Sequence, residues 1–158
     1  MDTSTKKQVL RMFTYGLYAV GCVDGNDVNA FTANWLTQVS FEPPLIAVSV
    51  ENDAKSLPMI QRSRKFTVNV LRSGQRELAG NLGKSALKYP DKLKDIPYEL
   101  IEEQYLVLKD ALAWVACEVR HTAPAGDSTL IIAEVVGTGI LAEGQPLTMT
   151  ETGFRHAG

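Results

Sequence analysis

Short apolar runs and period-two alternation recur along the chain, whereas helical periodicity is confined to brief segments. Val9, Met12 and Phe13 share a helical spacing within Thr5–Tyr15, which predicts a short N-terminal helix ended by Gly16. GLYAVGCVD then reads as a strand, and DGND (Asp24 to Asp27) carries the Asp-Gly hairpin signal. Val28 to Phe41 predicts a second strand, long and bent, broken by Pro43 and Pro44. LIAVSV (Leu45 to Val50) is the kind of run found in a strand buried on both faces. A polar loop (Glu51 to Ser56) leads into a short helix, LPMIQRS, with Pro58 in its first turn. Further strands are predicted at Phe66–Leu71, Tyr98–Ile101, Ala111–His121 and Thr129–Leu141. A helix weakened by Gly80 and Gly83 is predicted over Gln75–Lys88, with YPDKLKDIP and the tail ETGFRHAG irregular. Strands dominate and hairpin signals join several of them. The order is not the alternation of a doubly wound sheet, and a small barrel with helical insertions fits it better.

One stretch resists simple placement. VNAFTANWLTQVSF (Val28 to Phe41) has no charged residue, yet it carries Asn29, Thr32, Asn34, Thr37, Gln38 and Ser40. Alternation puts Phe31, Ala33, Trp35, Val39 and Phe41 on a core face, and Thr32, Asn34, Leu36, Gln38 and Ser40 on the other. The second face, all amides and hydroxyls apart from Leu36, suits a neutral ligand rich in donors and acceptors. An exposed strand would also accept it. Downstream, VSVENDAKSLP runs from strand through loop to helix start. Free N–H groups at a helix N-terminus favour anions, and Lys55 and Ser56 add a charge and a hydroxyl there. Ser56 as a simple helix cap is the competing reading. Together the two features describe a flat, hydrogen-bonding ligand with a phosphate tail. FMN fits both halves, as do other phosphorylated heterocycles.

Composition narrows the choice. The 158 residues suit one domain spanning 1–158, and 45% hydrophobic with 22% charged residues is the profile of an ordinary globular chain. A net charge of -2 argues against nucleic acid as a partner, no apolar run spans a bilayer, and the N-terminus lacks a signal peptide's apolar core. The cytoplasm is the expected location. Charge is uneven: Lys55 to Lys94 holds ten basic residues and two acidic ones, so that segment is +8. Solvated helix faces explain this as well as a site for a phosphate, a nucleotide or an acidic protein does. Cys22 and Cys117 read as buried thiols, and His121 and His156 have no ligand cluster for a metal. Two motif fragments are set aside. Gly137, Gly139 and Ala142 match GxGxxA, but Gly144 and Pro146 leave no room for the required helix. Gly83-Lys84-Ser85 mimics a P-loop end, but Leu78 stands where its first glycine should.

NAFTANW, TQVSFEPPLIAVSV, FTVNVL and GDSTLIIAEVV, in this order and spacing, resemble the flavin reductase-like family of FMN-binding split β-barrels. The likeness covers nearly the whole chain. The tail ETGFRHAG resembles that of relatives in which a rubredoxin module follows. The resemblance implies a mainly β fold, a Greek-key split β-barrel with a few short α-helices, forming homodimers with FMN near the interface. It places Asn29, Thr32, Ala33, Asn34 and Trp35 at the flavin ring, against the alternation that put Trp35 in the core. It places Ser49, Lys55 and Ser56 at the phosphate. Asn69 matches the asparagine of the family's FxVNVL strand, Lys92 a lysine of a DKF-like stretch, and Phe154 a tail residue closing over the flavin. The implied function is an FMN-dependent oxidoreductase, moving electrons from NAD(P)H or a small redox protein through FMN to an acceptor. The flavin carries the chemistry, and no catalytic side chain is assigned. Ser128 departs from the family, where Gly-Asp-His precedes this strand and the histidine is linked to nicotinamide binding. That departure favours a rival, an FMN electron carrier served by rubredoxin or ferredoxin without direct NAD(P)H use. A non-enzymatic flavin-binding module is the third reading.

Overall fold

The computed structural model describes residues 1–158. Nine strands and four short helices follow in the order α1 (Thr3–Leu10), β1 (Tyr18–Asp24), β2 (Asp27–Ala33), β3 (Leu36–Ser40), β4 (Leu45–Glu51), α2 (Ser56–Ser63), β5 (Lys65–Val70), α3 (Arg76–Leu82), β6 (Tyr98–Ile101), β7 (Tyr105–Leu108), β8 (Ala113–Ala125), β9 (Ser128–Ile140) and α4 (Met149–Thr152). The mainly β expectation is borne out. Seven strands form one antiparallel sheet in the order β2-β1-β5-β8-β9-β4-β3, and β6 pairs with β7 apart from it. No helix is long and apolar enough to cross a membrane.

The sheet's two edges, β2 and β3, are consecutive in sequence and joined only by Asn34 and Trp35. Opposite edges linked by two residues must lie close together, so the sheet curls on itself. The edges do not pair with each other, and the barrel stays split along that seam. Its interior holds Val20, Cys22, Val48, Ile60, Phe66, Val68 and Ile131. The outer side of β1 and β5 carries a second core, where Ala19, Leu71, Leu82, Leu106, Leu108 and Leu147 meet. Successive residues of β1 therefore enter different cores, which explains its unbroken apolar run.

The predicted long, bent strand is thus two strands at opposite edges. Phe31 and Ala33 face the barrel interior as alternation requires, but beyond the break it is Leu36 that packs there. Trp35, Val39 and Phe41 are exposed instead, Phe41 by 90%. The break at Asn34–Trp35 and a register shift between Gln38 and Ser40 reset the period-two count.

Three other expectations change. The N-terminal helix ends at Leu10, capped at its start by Asp2 accepting from the Thr5 amide (2.8 Å), and buries no residue, so Val9, Met12 and Phe13 stay exposed. The predicted helix Gln75–Lys88 stops at Leu82, with Gly83 as C-cap. Tyr105–Leu108 is a strand that the pattern did not predict, and the hairpin it makes with β6 lies against β1 at Gly21. A Cβ there would stand 3.0 Å from both Cβ and O of Leu106, so close approach requires the glycine.

Candidate functional site

A cleft of about 580 Å³ opens beside the split, between the β2–β3 seam, the start of α2, the end of α3 and the tail. Asn29, Thr32, Ala33, Asn34, Trp35, Ser49, Lys55, Ser56, Lys92 and Phe154 all line it. The fold therefore brings together residues that lie as far apart in sequence as Asn29 and Phe154.

Asn69 is not among them. It is fully buried in β5, where Nδ2 donates to Ala19 O and Leu106 O (both 3.2 Å) and Oδ1 accepts from Leu108 N (2.9 Å). Its amide ties the β6–β7 hairpin to the sheet. The resemblance led to the expectation that Asn69 faces a cofactor, whereas here it does not line the cleft and its side-chain amide is bonded to backbone groups.

One end of the cleft is cationic. Lys55 precedes the first residue of α2 and makes no side-chain cap; in the first turn Leu57 N donates to Ala54 O (3.2 Å) and Pro58 has no N–H, which leaves the Ser56 amide as the free donor. Ser56 is not the cap either. It is the first helical residue, 1% exposed, and its Oγ accepts from Asn29 Nδ2 at 2.7 Å. Lys55 Nζ reaches Asp27 at 3.1 Å, a half-exposed pair of small worth. Lys92 donates to Leu82 O (2.8 Å) and Lys84 O (2.9 Å), the carbonyls at the end of α3. Burial pushes its ammonium down to about 8, and nearby Lys55 pushes the same way. Cys22 lies behind this end, its thiol raised to about 11 by burial and therefore inert near neutrality.

The other end is aromatic and built on the tail. The Trp35 ring stacks on His156, with centroids 5.2 Å apart. Asn34 holds the same histidine twice: Nδ2 donates to His156 O at 2.8 Å, and Oδ1 lies 3.0 Å from Nδ1. Glu51 Oε1 is 3.1 Å from Nε2. Phe154 seats the tail on α3, its ring 3.5 Å from where a Cβ on Gly80 would stand and 4.9 Å from the Arg76 guanidinium. Thr32 Oγ1 donates to Ala79 O (2.6 Å), closing β2 against α3. Because β2 is a sheet edge, one row of its backbone N–H and C=O groups has no strand beside it.

Glu51, Lys84, Ser85 and His156 also line the cleft. Lys84 belongs to the basic segment as well as to the false P-loop, while nothing in the sequence pattern marks Glu51 or Ser85, and the tail has no periodicity to fix the place of His156. Ser128, where the expected histidine is replaced, is 3% exposed at the β8–β9 turn, its hydroxyl 3.3 Å from Asp127 Oδ1, and it does not line the cleft. The glycines of the rejected GxGxxA lie in β9, Gly137 opposite Ala116 and Gly139 opposite Trp114, where a Cβ on Gly139 would collide with the indole.

The fold and cleft can be set beside known proteins. A family model described as "Flavin reductase like domain" matches residues 10–158. The chain is 32% identical over 150 residues to the high molecular weight rubredoxin of Moorella thermoacetica, covering 94% of this chain and 64% of that protein. It therefore spans slightly less than two thirds of that relative's length. It is 30% identical over 150 residues to the reductase component of 4-hydroxyphenylacetate 3-monooxygenase from Thermus thermophilus, covering 95% and 93%. The solved structure of flavin reductase PheA2 in its native state matches with a TM-score of 0.80 at 33% identity, over 94% of this chain and 93% of that one.

Proposed function

The chain belongs to the flavin reductase-like family, and from that premise we propose that it is an FMN-dependent oxidoreductase whose flavin binds in the cleft between α2 and the tail. One observation carries the placement. The cleft joins an uncapped helix start with two lysines to a strand edge flanked by aromatic rings, and FMN has the matching halves, a phosphate and a flat ring edged with donors and acceptors.

Bound there, FMN would supply the electron-transfer chemistry, and the protein's part is to hold it and control access. Lys55 and the amide and hydroxyl of Ser56 hold the phosphate, with Lys92 across from them. Asn29 fixes the Ser56 hydroxyl for that contact. The free edge of β2 from Asn29 to Ala33 faces the ring, with Ser49 beside it. Asn34 acts on the ligand through the tail, since its amide already holds His156. Trp35, Phe154 and His156 wall the open side and limit water. No side chain is given a proton-transfer role.

The electron donor is NAD(P)H or a small redox protein. A relative from Pseudomonas fluorescens named as an NADH-dependent flavin reductase supports the first, and one named as a rubredoxin supports the second. Ser128 favours the second reading, an FMN carrier without direct NAD(P)H use, because its buried hydroxyl offers nothing to the cleft. The chain works as a homodimer in this reading. Val39, exposed on edge strand β3, and Phe41, exposed just beyond its end, form the kind of apolar edge that a second copy covers.

Anaerobic titration with NADH, NADPH and reduced rubredoxin, following the flavin spectrum, tests the function. Bleaching by a nicotinamide supports a reductase, and bleaching by rubredoxin alone supports the carrier. A protein that binds no flavin overturns both.

A further inference from the structure

The surplus positive charge between Lys55 and Lys94 is not neutralised by the fold. Of its ten basic residues, only Lys55 and Arg62 meet a carboxylate, Asp27 at 3.1 Å and Asp24 at 2.7 Å. Much of the remainder lies on the loop that follows α3, residues 83–97, which contains neither helix nor strand. Ala86, Leu93 and Ile96 anchor this loop, Ala86 in the cleft wall and the other two against the outer core. Lys84, Lys88 and Lys94 are exposed without a carboxylate partner. Between them Leu87 is 70% and Tyr89 52% exposed, and Lys84 Nζ stands 5.4 Å from the centre of the Tyr89 ring. Neither Leu87 nor Tyr89 packs into either core. One side of the loop thus walls the cleft, and the other presents two exposed apolar side chains on a segment with four lysines and two aspartates, Asp91 and Asp95, a net +2.

We propose that this loop is the docking surface for a small acidic redox protein, which delivers electrons to the cleft behind it. The proposal rests on reading the cleft as a flavin site. Charge complementarity selects the occupant. An acidic partner gains from every lysine, whereas a second copy of this chain would bring lysine against lysine. Exposed apolar side chains on a basic loop give a contact that is specific but short-lived, as electron-transfer encounters require, and such interfaces are small. Each encounter passes one electron from the partner's reduced centre to the flavin. Two encounters, with two protons from water, complete a two-electron reduction and leave two oxidised partners.

The test uses zinc-substituted rubredoxin as a redox-silent acidic probe, added to the flavin-free protein and followed by NMR shift changes and association kinetics. The expected result is a set of shifts centred on Lys84–Lys94 and an association rate that falls about tenfold from about 50 mM to about 500 mM salt. K88E/K94E should slow association about tenfold and flatten the salt dependence, and L87S should raise the dissociation rate. Both variants alter exposed loop residues outside the cleft lining, so unchanged FMN affinity is their folding control. Wild-type kinetics in K88E/K94E, shifts mapping elsewhere, or absence of binding would overturn the proposal. So would equal competition by a single-stranded oligonucleotide, or dissociation of a dimer by the charge reversal, since either assigns the surface to another occupant. Docking at the loop by a protein that takes up no FMN would leave this surface standing and remove the flavin reading instead.

Discussion

The two ends of the cleft are built by different means. At the α2 end the groups are fixed by regular structure: Ser56 is 1% exposed and bonded to Asn29, and Lys92 is pinned to two carbonyls at the end of α3. At the other end, Phe154 and His156 lie beyond the last helix, on a tail held by the Phe154 ring on α3, the Asn34 amide, the Trp35 stack, Glu51 and a bond from Arg11 to Ala157 O (3.3 Å). An end made from strands and helices opens only when the barrel does, whereas a tail held by a few surface contacts opens locally at small cost. The first end should therefore set how tightly a phosphate-bearing ligand binds. The second should set how quickly it enters and leaves.

Removing the rigid end should have the largest effect. K55A/S56A is expected to weaken FMN binding about 100-fold, from loss of two contacts to a charged group. Calorimetric titration measures this, and a loss no greater than that of a tail variant would erase the asymmetry. Next in size is a pH effect. Burial holds the free Lys92 ammonium down at about 8, so it loses its proton as pH rises past that value. A bound phosphate dianion favours the charged form, and binding above pH 8 therefore takes up a proton. FMN affinity should fall by up to about tenfold per pH unit there, and K92M should flatten the profile. Fluorescence titration between pH 7 and pH 9.5 reads it out.

The tail variants come third. N34A removes both bonds to His156 and should speed FMN release about tenfold while lowering affinity only a few-fold, as measured by stopped-flow displacement. The smallest effect on flavin belongs to Asn69. N69A should leave FMN affinity unchanged yet cost about 2 kcal/mol of stability in urea, because Leu106 O and Leu108 N lose a buried partner. A weakened affinity without that stability loss would return Asn69 to the site.

Much of the rigid end was legible in the sequence and little of the tail end was. A strand, a polar loop and a proline in the first helical turn announce a helix N-terminus, so Lys55 and Ser56 could be placed before any coordinates. The hairpin at Gly25 and the apolar runs of β1 and β4 likewise follow from local chemistry. The Val28–Phe41 strand shows where such reasoning stops. Alternation carries no sign that the chain leaves one sheet edge at Ala33 and joins the other at Leu36, so it puts Trp35 in the core, whereas the ring stacks on His156. A buried asparagine reads the same whether it faces a ligand or a hairpin, so the pattern does not tell that Asn69 bonds Leu106 and Leu108. Tyr105–Leu108 is too short an apolar run to declare its type, and the tail has no period to read.

Comparing FMN with riboflavin tests the central claim most directly, because the two differ only by the phosphate. If the cleft seats the flavin with its phosphate at α2, the flavin-free protein should bind FMN about 100-fold more tightly than riboflavin, and K55A/S56A should bring the two nearly together. Equal affinity for both ligands in the wild-type protein, or an undiminished preference for FMN in the variant, would contradict it.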